Sequence, residues 1–276
     1  MSDIHVLIAA YGPEALEKIA SLPHPEHPGV DYIVSWQRYD RQRIPEEIKK
    51  RQDFRIHFED STGLCRNRNA LMGLVKDGIA VIADDDLAYI PEHFENIRHG
   101  MAENPHSHFL SFRYSSENFP KTYPSDSFPL SRPPKGYFVT SMEMVFNLDR
   151  INQDFGSTSD IIFDTDYGVN GHIFGSGEED ILVHSLLKNG YKATFVPEDI
   201  CINTESTTSE RIGDTRDFIA TKGAVMLLIK PYSWPLRMLT HAWRSKVPFF
   251  RFCRWWLGGV RRARGKNRMK IYYAGK

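Results

Sequence analysis

Residues 79–89 read IAVIADDDLAY, an unbroken apolar climb that ends in three consecutive aspartates. A short apolar run without alternation fits a strand buried on both faces of a parallel sheet. Three adjacent carboxylates repel one another, so their position at the end of such a strand calls for a compensating cation. Side chains alternate along an extended segment, so Asp84 and Asp86 would point the same way and could share one hard divalent ion. Asp85 would then turn away or accept turn hydrogen bonds. Mg²⁺ or Mn²⁺ favours such oxygen ligands and commonly bridges to substrate phosphates. The plainer alternative is an acidic turn leading into a helix at Pro91, with an aspartate favoured by the helix dipole.

Outward from this point, short apolar runs alternate with helical stretches, the pattern of a mainly parallel α/β sheet. IHVLIAA, DYIVSWQ and FRIHFED read as the first three strands and IAVIADDD as the fourth. Between them lie the helices PEALEKIASL, PEEIKKRQ and GLCRNRNALMGLVKDG, the last closed by Gly78. PEHFENIRHGMAEN follows, with Pro91 at a first-turn position that suits proline. The aspartates thus fall at the carboxyl end of a strand, where open α/β sheets place their ligands. Residues 105–160, rich in Pro, Ser, Phe and Tyr, read as a long excursion followed by a strand YFVTSMEMVFNL. A glycine-rich loop, the helix EEDILVHSLLKN and the strand YKATFVP complete this part.

The chain has 276 residues, 41% hydrophobic and 25% charged, enough for one large domain or two small ones. Cys65, Cys201 and Cys253 are few and widely spaced, which points to a reducing compartment and no disulfide framework. The start, MSDIHVLIAAYG, reads as a first strand and not as a signal peptide. No run of eighteen apolar residues suggests a membrane-spanning helix. The zero net charge hides an asymmetry. All 35 acidic residues lie in 1–217, against 21 Lys and Arg, while the last 59 residues hold 14 Lys and Arg and no acid. Such a tail faces an anionic partner or packs on the acidic body.

Two further stretches carry chemistry. In GLCRNRNALMG, residues 63–73, Gly63 allows a tight turn, and Arg66 and Arg68 lie near a helix N-terminus suited to a phosphate or an acid. Alone, this is a plain surface helix; its place one βα unit before the aspartates gives it weight. In GSGEEDILVHSLLKNG, Gly171, Gly175 and Gly177 give a mobile loop, and Glu179 and Asp180 occupy the first turn of a helix. A carboxylate there could act as a general base, its pKa lowered by the dipole and raised by neighbouring acids. The same acids also simply favour a helix start.

Taken in order, these segments resemble the inverting glycosyltransferases of the family-2 type, with the GT-A fold. HVLIAAY matches the first strand, GLCRNRN resembles the family's G-L-x-x-x-R-N, and ADDDLAYIP resembles its DxD segment. GSGEED with GYKATFVP resembles the acceptor-side ED helix and the strand after it. The likeness covers roughly residues 3–200. It implies a Rossmann-like mixed sheet flanked by helices and a nucleotide-diphosphate sugar across the carboxyl edge. A divalent metal, Mn²⁺ or Mg²⁺, would sit on Asp86, with Asp84 beside it near the metal or ribose and Asp85 at the donor. Asp180 would be the base and Glu179 its close neighbour. Ala10, Tyr11 and Asp60 would line the base pocket, and Arg68 would support the nucleotide or the aspartates. Two positions depart from the family. Gln37 stands where an acid usually reads the base, and Asn203 lies near the place of a metal-ligating His. His172 and His184 read as loop and helix-face residues.

The resemblance makes 1–217 a catalytic domain, with a nucleotide-binding half at 1–104 and an acceptor-side half at 105–217. Residues 218–276 form a basic, aromatic helical extension. Within it, Phe249, Phe252, Cys253, Trp256, Leu257 and Val260 make an apolar helical stripe with arginines opposite. Such a helix suits an anionic membrane surface, here through 236–270, or docks on a domain core. Tandem Gly258 and Gly259 weaken a long straight helix. The expected acceptor is a glycan or glycolipid, the expected location the cytoplasm or the inner face of its membrane, and no nucleic-acid motif is present. Rival readings are a non-catalytic scaffold on the same fold and a DxD phosphohydrolase. The latter would want its aspartates on the first strand, and a nucleotidyltransferase would want a basic, Gly-rich loop where AAYGPEALEK stands.

Overall fold

Four parallel strands form first along the chain: β1 (Ile4–Tyr11), β2 (Val30–Gln37), β3 (Phe54–Glu59) and β4 (Ile79–Asp84). They are linked through α1 (Ala15–Ser21), α2 (Glu46–Lys49) and α3 (Leu64–Leu74). The first five residues of β4 are all buried, as an unalternating apolar run requires between two helical layers. In the computed structural model, residues 3–118, 120–159, 161–205 and 215–264 are described.

After β4 come β5 (Leu87–Ala88), α4 (Pro91–Glu103), β6 (Phe109–Ser115), β7 (Phe128–Pro129), β8 (Met144–Asn147) and α5 (Leu148–Phe155). Then follow α6 (Glu178–Lys188) and β9 (Ala193–Asn203). The nine-stranded sheet runs β3-β2-β1-β4-β8-β6-β9-β5, with β7 on β9. β8 lies antiparallel between β4 and β6, and β6 runs parallel to β9, so the sheet is mixed. Val6, Ile8, Val34, Trp36, Val81 and Leu110 belong to its buried core. Each such side chain contributes about 1.5–3 kcal/mol by leaving water.

Two expectations for the middle of the chain are corrected. Residues 105–160 are not one excursion, because Phe109, Leu110 and Phe112 are fully buried on β6 in the heart of the sheet. The strand expected at YFVTSMEMVFNL is only four residues long, β8, and a 3-10 turn at Ser141–Glu143 precedes it. That turn is closed by Glu143, whose carboxylate accepts from the Thr140 N–H at 3.1 Å, a bond that competes with strand pairing. β9 extends past YKATFVP to Asn203. Pro197, which has no N–H to donate, falls where the β6–β9 register shifts between Ser111 and Arg113.

The described chain divides into two units. One comprises Met1–Thr62, Arg66–Ile162 and Gly190–Ser206 and holds the sheet. The other comprises Gly63–Cys65, Phe163–Asn189 and Thr207–Lys276 and is helical. It contains α6 with α7 (Arg216–Ile229), α8 (Trp234–Arg244) and α9 (Phe249–Arg264). α9 continues through Gly258 and Gly259 without a break, contrary to expectation. The reason is packing: Phe252, Trp256 and Val260 are buried with Ile219 of α7 and Ala242 of α8. Phe252, Trp256 and Val260 of the stripe offered to a membrane surface therefore belong to the core of this helical unit, while Phe249 at its start is exposed. Residues 265–270 of the proposed membrane segment lie outside the described residues. Among the described residues, no helix is long and apolar enough to cross a membrane.

Candidate functional site

The parallel register brings the strand ends level. Ala9 lies opposite Asp84, Tyr11 opposite Gln37, and Gln37 opposite Glu59. Asp84 is the last residue of β4, and Asp85 and Asp86 form the turn into β5. Alternation therefore stops at Asp84, and turn geometry sets the direction of Asp86.

Each aspartate meets a different partner. Asp84 accepts from the Arg68 guanidinium at 2.8 Å, and Arg68, only 1% exposed, also donates to the Ser141 hydroxyl at 2.7 Å. Asp85 accepts from the Lys18 ammonium at 2.9 Å, and Lys18 also pairs with Glu205 at 2.9 Å. Burial raises the Asp85 carboxyl pKa, against the pull of Lys18. Burial works against the Lys18 charge too, but its carboxylate partners more than offset this and hold its pKa above the ordinary value.

Asp86 differs. Its main-chain carbonyl accepts from the Thr204 N–H at 3.3 Å and the Thr204 hydroxyl at 2.7 Å, which fixes the turn against the end of β9. Its side-chain Oδ1 is buried and, among the described residues, accepts no hydrogen bond. Burial, and next the Asp84 charge, push its carboxyl up to about 6. Nearby Asn203, 2% exposed, accepts from the Glu205 N–H at 3.2 Å through Oδ1, while its buried Nδ2 has no partner. Among the described residues, this edge thus carries an oxygen that lacks a donor and an amide that lacks an acceptor.

Four other expected residues lie along the same strand ends. Tyr11 is 45% exposed, with the Arg38 guanidinium 6.0 Å from its ring centre. Asp60 is exposed and accepts from the Tyr39 hydroxyl at 2.9 Å. Gln37 and Ala10 are buried; Gln37 Nε2 lies 3.4 Å from the Ser61 hydroxyl, and the Ala10 carbonyl accepts from Asn67 at 3.1 Å. Among the described residues, no group of three or more His, Cys, Asp or Glu is arranged to hold a metal. A metal here would rest on Asp84 and Asp86, with other ligands from substrate and water.

Several supporting residues escaped the sequence reading. Lys18 sits on a helix 67 positions before its partner Asp85, and nothing in PEALEKIASL marks it. Ser141 lies in the turn that Glu143 closes. Glu143 is itself fully buried and bound by the Lys121 ammonium at 2.6 Å and the Tyr123 hydroxyl at 2.7 Å. A buried acid so paired locks the turn, and through Ser141 it locks Arg68.

In the helical unit, Gly177 precedes α6 with φ +93°, and the three acids of its first turn diverge. Glu178 is 4% exposed, Glu179 is half-buried and Asp180 is exposed. The surrounding protein still desolvates the Asp180 carboxyl and raises its pKa, while the Lys222 charge lowers it. The preceding loop carries backbone hydrogen bonds of its own. The Gly171 N–H donates to the Gly168 carbonyl at 2.8 Å, and the Phe174 N–H donates to the Asp166 carbonyl at 2.9 Å. Burial lowers the His184 pKa to about 4, so this helix-face imidazole is neutral. His172 is exposed in the loop.

No protein-family profile and no curated protein matches the chain. Solved structures do. Staphylococcus aureus TarS residues 1–349 in complex with UDP-GlcNAc matches with a TM-score of 0.58 at 13% identity, over 99% of this chain and 76% of that one. The complex of the same TarS fragment with UDP gives a TM-score of 0.56 at 14% identity, over 99% and 75%. A longer TarS structure gives 0.54 at 14% identity, over 87% of this chain and 42% of that one. At this identity the likeness is one of fold, and the mixed sheet flanked by helices is of the GT-A type.

Proposed function

We propose that the chain is an inverting glycosyltransferase that moves a sugar from a nucleotide-diphosphate donor to a hydroxyl of a glycan or lipid-linked acceptor. The observation that carries this reading is Asp86, a buried carboxylate oxygen without a donor, next to two aspartates already matched by Arg68 and Lys18. A desolvated carboxylate in that position is stabilised by a cation, and an unpartnered Asn203 amide beside it by an anionic oxygen. A divalent ion with a diphosphate on it supplies both. Asp84 and Asp86 would hold Mn²⁺ or Mg²⁺, which when bound neutralises the charge of the departing nucleoside diphosphate. Arg68 fixes the rotamer of Asp84, and Lys18 keeps Asp85 out of competition for the ion. The exposed Tyr11 ring offers a stacking face for the base, with Asp60 at the same edge and Gln37 beneath it.

Asp180 takes the proton from the acceptor hydroxyl as that oxygen attacks the anomeric carbon and the bond to the diphosphate breaks. Its raised carboxyl pKa makes it a stronger base than a solvated aspartate. Glu179 stands beside it in the same helical turn. UDP and UDP-GlcNAc are the first ligands to try, because the matching TarS complexes contain them. The test is a thermal-shift screen against UDP, GDP, CDP and dTDP, each with and without Mn²⁺ or Mg²⁺. A rise in melting temperature with one nucleotide, only when metal is present and absent in Asp86→Ala, supports the reading. Folded protein that shifts with no pair sinks it.

A further inference from the structure

Thirteen large apolar residues are exposed among those described, and six of them fall within residues 232–250: Tyr232, Leu236, Leu239, Trp243, Phe249 and Phe250. On α8 they follow a pattern. Leu236, Leu239 and Trp243 are spaced by three and four residues, which puts them on one face of the helix. They are 67%, 46% and 87% exposed, whereas Trp234 and Met238, on the far side of the helix, and Ala242, a quarter turn from the stripe and 4% exposed, pack into the helical core. Arg237 and Arg244 flank the stripe, Lys246 follows it, and Arg251 and Arg254 are exposed on α9.

An exposed apolar stripe of this width on a folded helix needs an occupant. The surrounding charge selects one, because no acidic residue occurs after Asp217. A protein surface complementary to the stripe would need acids without number along its rim, while an anionic lipid surface offers both an apolar layer and a uniform negative charge. Tyr232 just before α8 and Trp243 in its last turn suit the headgroup boundary, where an aromatic ring has one apolar and one wet side. We infer that α8, with Tyr232 and Phe250 beside it, is an in-plane docking surface for an anionic lipid bilayer. Within the expected 236–270, this places the contact on α8 and not on Phe252, Trp256 and Val260 of α9, which are buried. It stands independently of the sugar-transfer reading.

The test is co-sedimentation of the full chain with vesicles of phosphatidylcholine alone and of phosphatidylcholine mixed with phosphatidylglycerol. The mixed vesicles should bind at least about tenfold more tightly than the neutral ones. The triple variant Leu236→Ser/Leu239→Ser/Trp243→Ser should lose at least about tenfold in binding to the mixed vesicles with its melting temperature unchanged, since all three side chains face solvent. If that variant melts early, Tyr232→Ser/Phe250→Ser, outside α8, should show the same loss. Wild-type protein left in the supernatant with mixed vesicles overturns the inference, and so does a folded variant that binds as well as wild type. A wild-type dimer that the triple variant makes monomeric, without vesicle binding, assigns the stripe to a second copy and equally overturns it.

Discussion

Asp86 has a carboxyl pushed to about 6 from an ordinary 3.8, so between these values the folded chain holds a proton that the unfolded chain has released. Stability therefore falls as pH rises through that window, and the cost is complete above about 6. Asp86→Asn removes a charge that the metal-free fold does not satisfy. We expect the variant to be more stable than wild type by about 1–2 kcal/mol at pH 7.5 and equal to it at pH 3.5, in urea titrations without metal. A constant difference across that range would show that the Asp86 charge is not what the variant relieves. Arg68→Met should act in the opposite sense. It leaves Asp84 and Ser141 without their shared donor, and a loss of about 2–3 kcal/mol is expected at neutral pH in the same titration. The aspartate triplet was legible from its place after IAVIA. Which of the three stays open was not, because that depends on Lys18 and Arg68, which only the tertiary fold brings to Asp85 and Asp84.

Local pattern named the parallel strands and their helices well, because β1, β2 and β4 are almost wholly buried and leave a continuous apolar trace, while the edge strand β3 is only partly buried and shows as FRIHFE. It failed at β6, whose FLSFRYS is embedded in polar and proline-rich flanks and becomes a strand through pairing with β8 and β9. It failed again at α9, where the apolar periodicity was correct but could not say what would cover it. The tandem glycines show why. A Cβ on Gly259 would lie 1.7 Å from the Ala220 carbonyl oxygen of α7, whereas one on Gly258 meets nothing within 4 Å. Gly259 is the close approach that seats α9, and Gly258 is only a weak helix former. Gly259→Ala should therefore cost about 3 kcal/mol, because backbone must move, while Gly258→Ala should gain about 0.5–1 kcal/mol. Opposite signs at adjacent residues, read by thermal denaturation, would establish the α7–α9 crossing. Equal effects would mean that the helices do not meet there.

At the scale of the molecule, the ordered motifs carried the GT-A fold even though identity to the matching TarS structures is 13–14%. A fold of this kind needs only buried strands in the right order and polar residues at their carboxyl ends, and both survive extensive substitution of everything between. The proposed chemistry gives two separate roles, donor binding to the aspartates and proton transfer to Asp180. The two roles can be told apart by mutation. Asp86→Ala should abolish both the metal-dependent nucleotide shift and sugar transfer. Asp180→Asn should keep the nucleotide shift and lower kcat by at least about a hundredfold, the scale of a lost general base. KM for the donor should change little, because the amide still fills the space at the start of α6. The measurement is a donor-saturation series with both variants once the thermal screen has named the nucleotide. Transfer retained in Asp180→Asn would remove that residue from the base role and leave the donor site standing. A nucleotide shift lost in Asp180→Asn would instead make it a binding residue, and the proton acceptor would have to be sought in Glu179 or elsewhere.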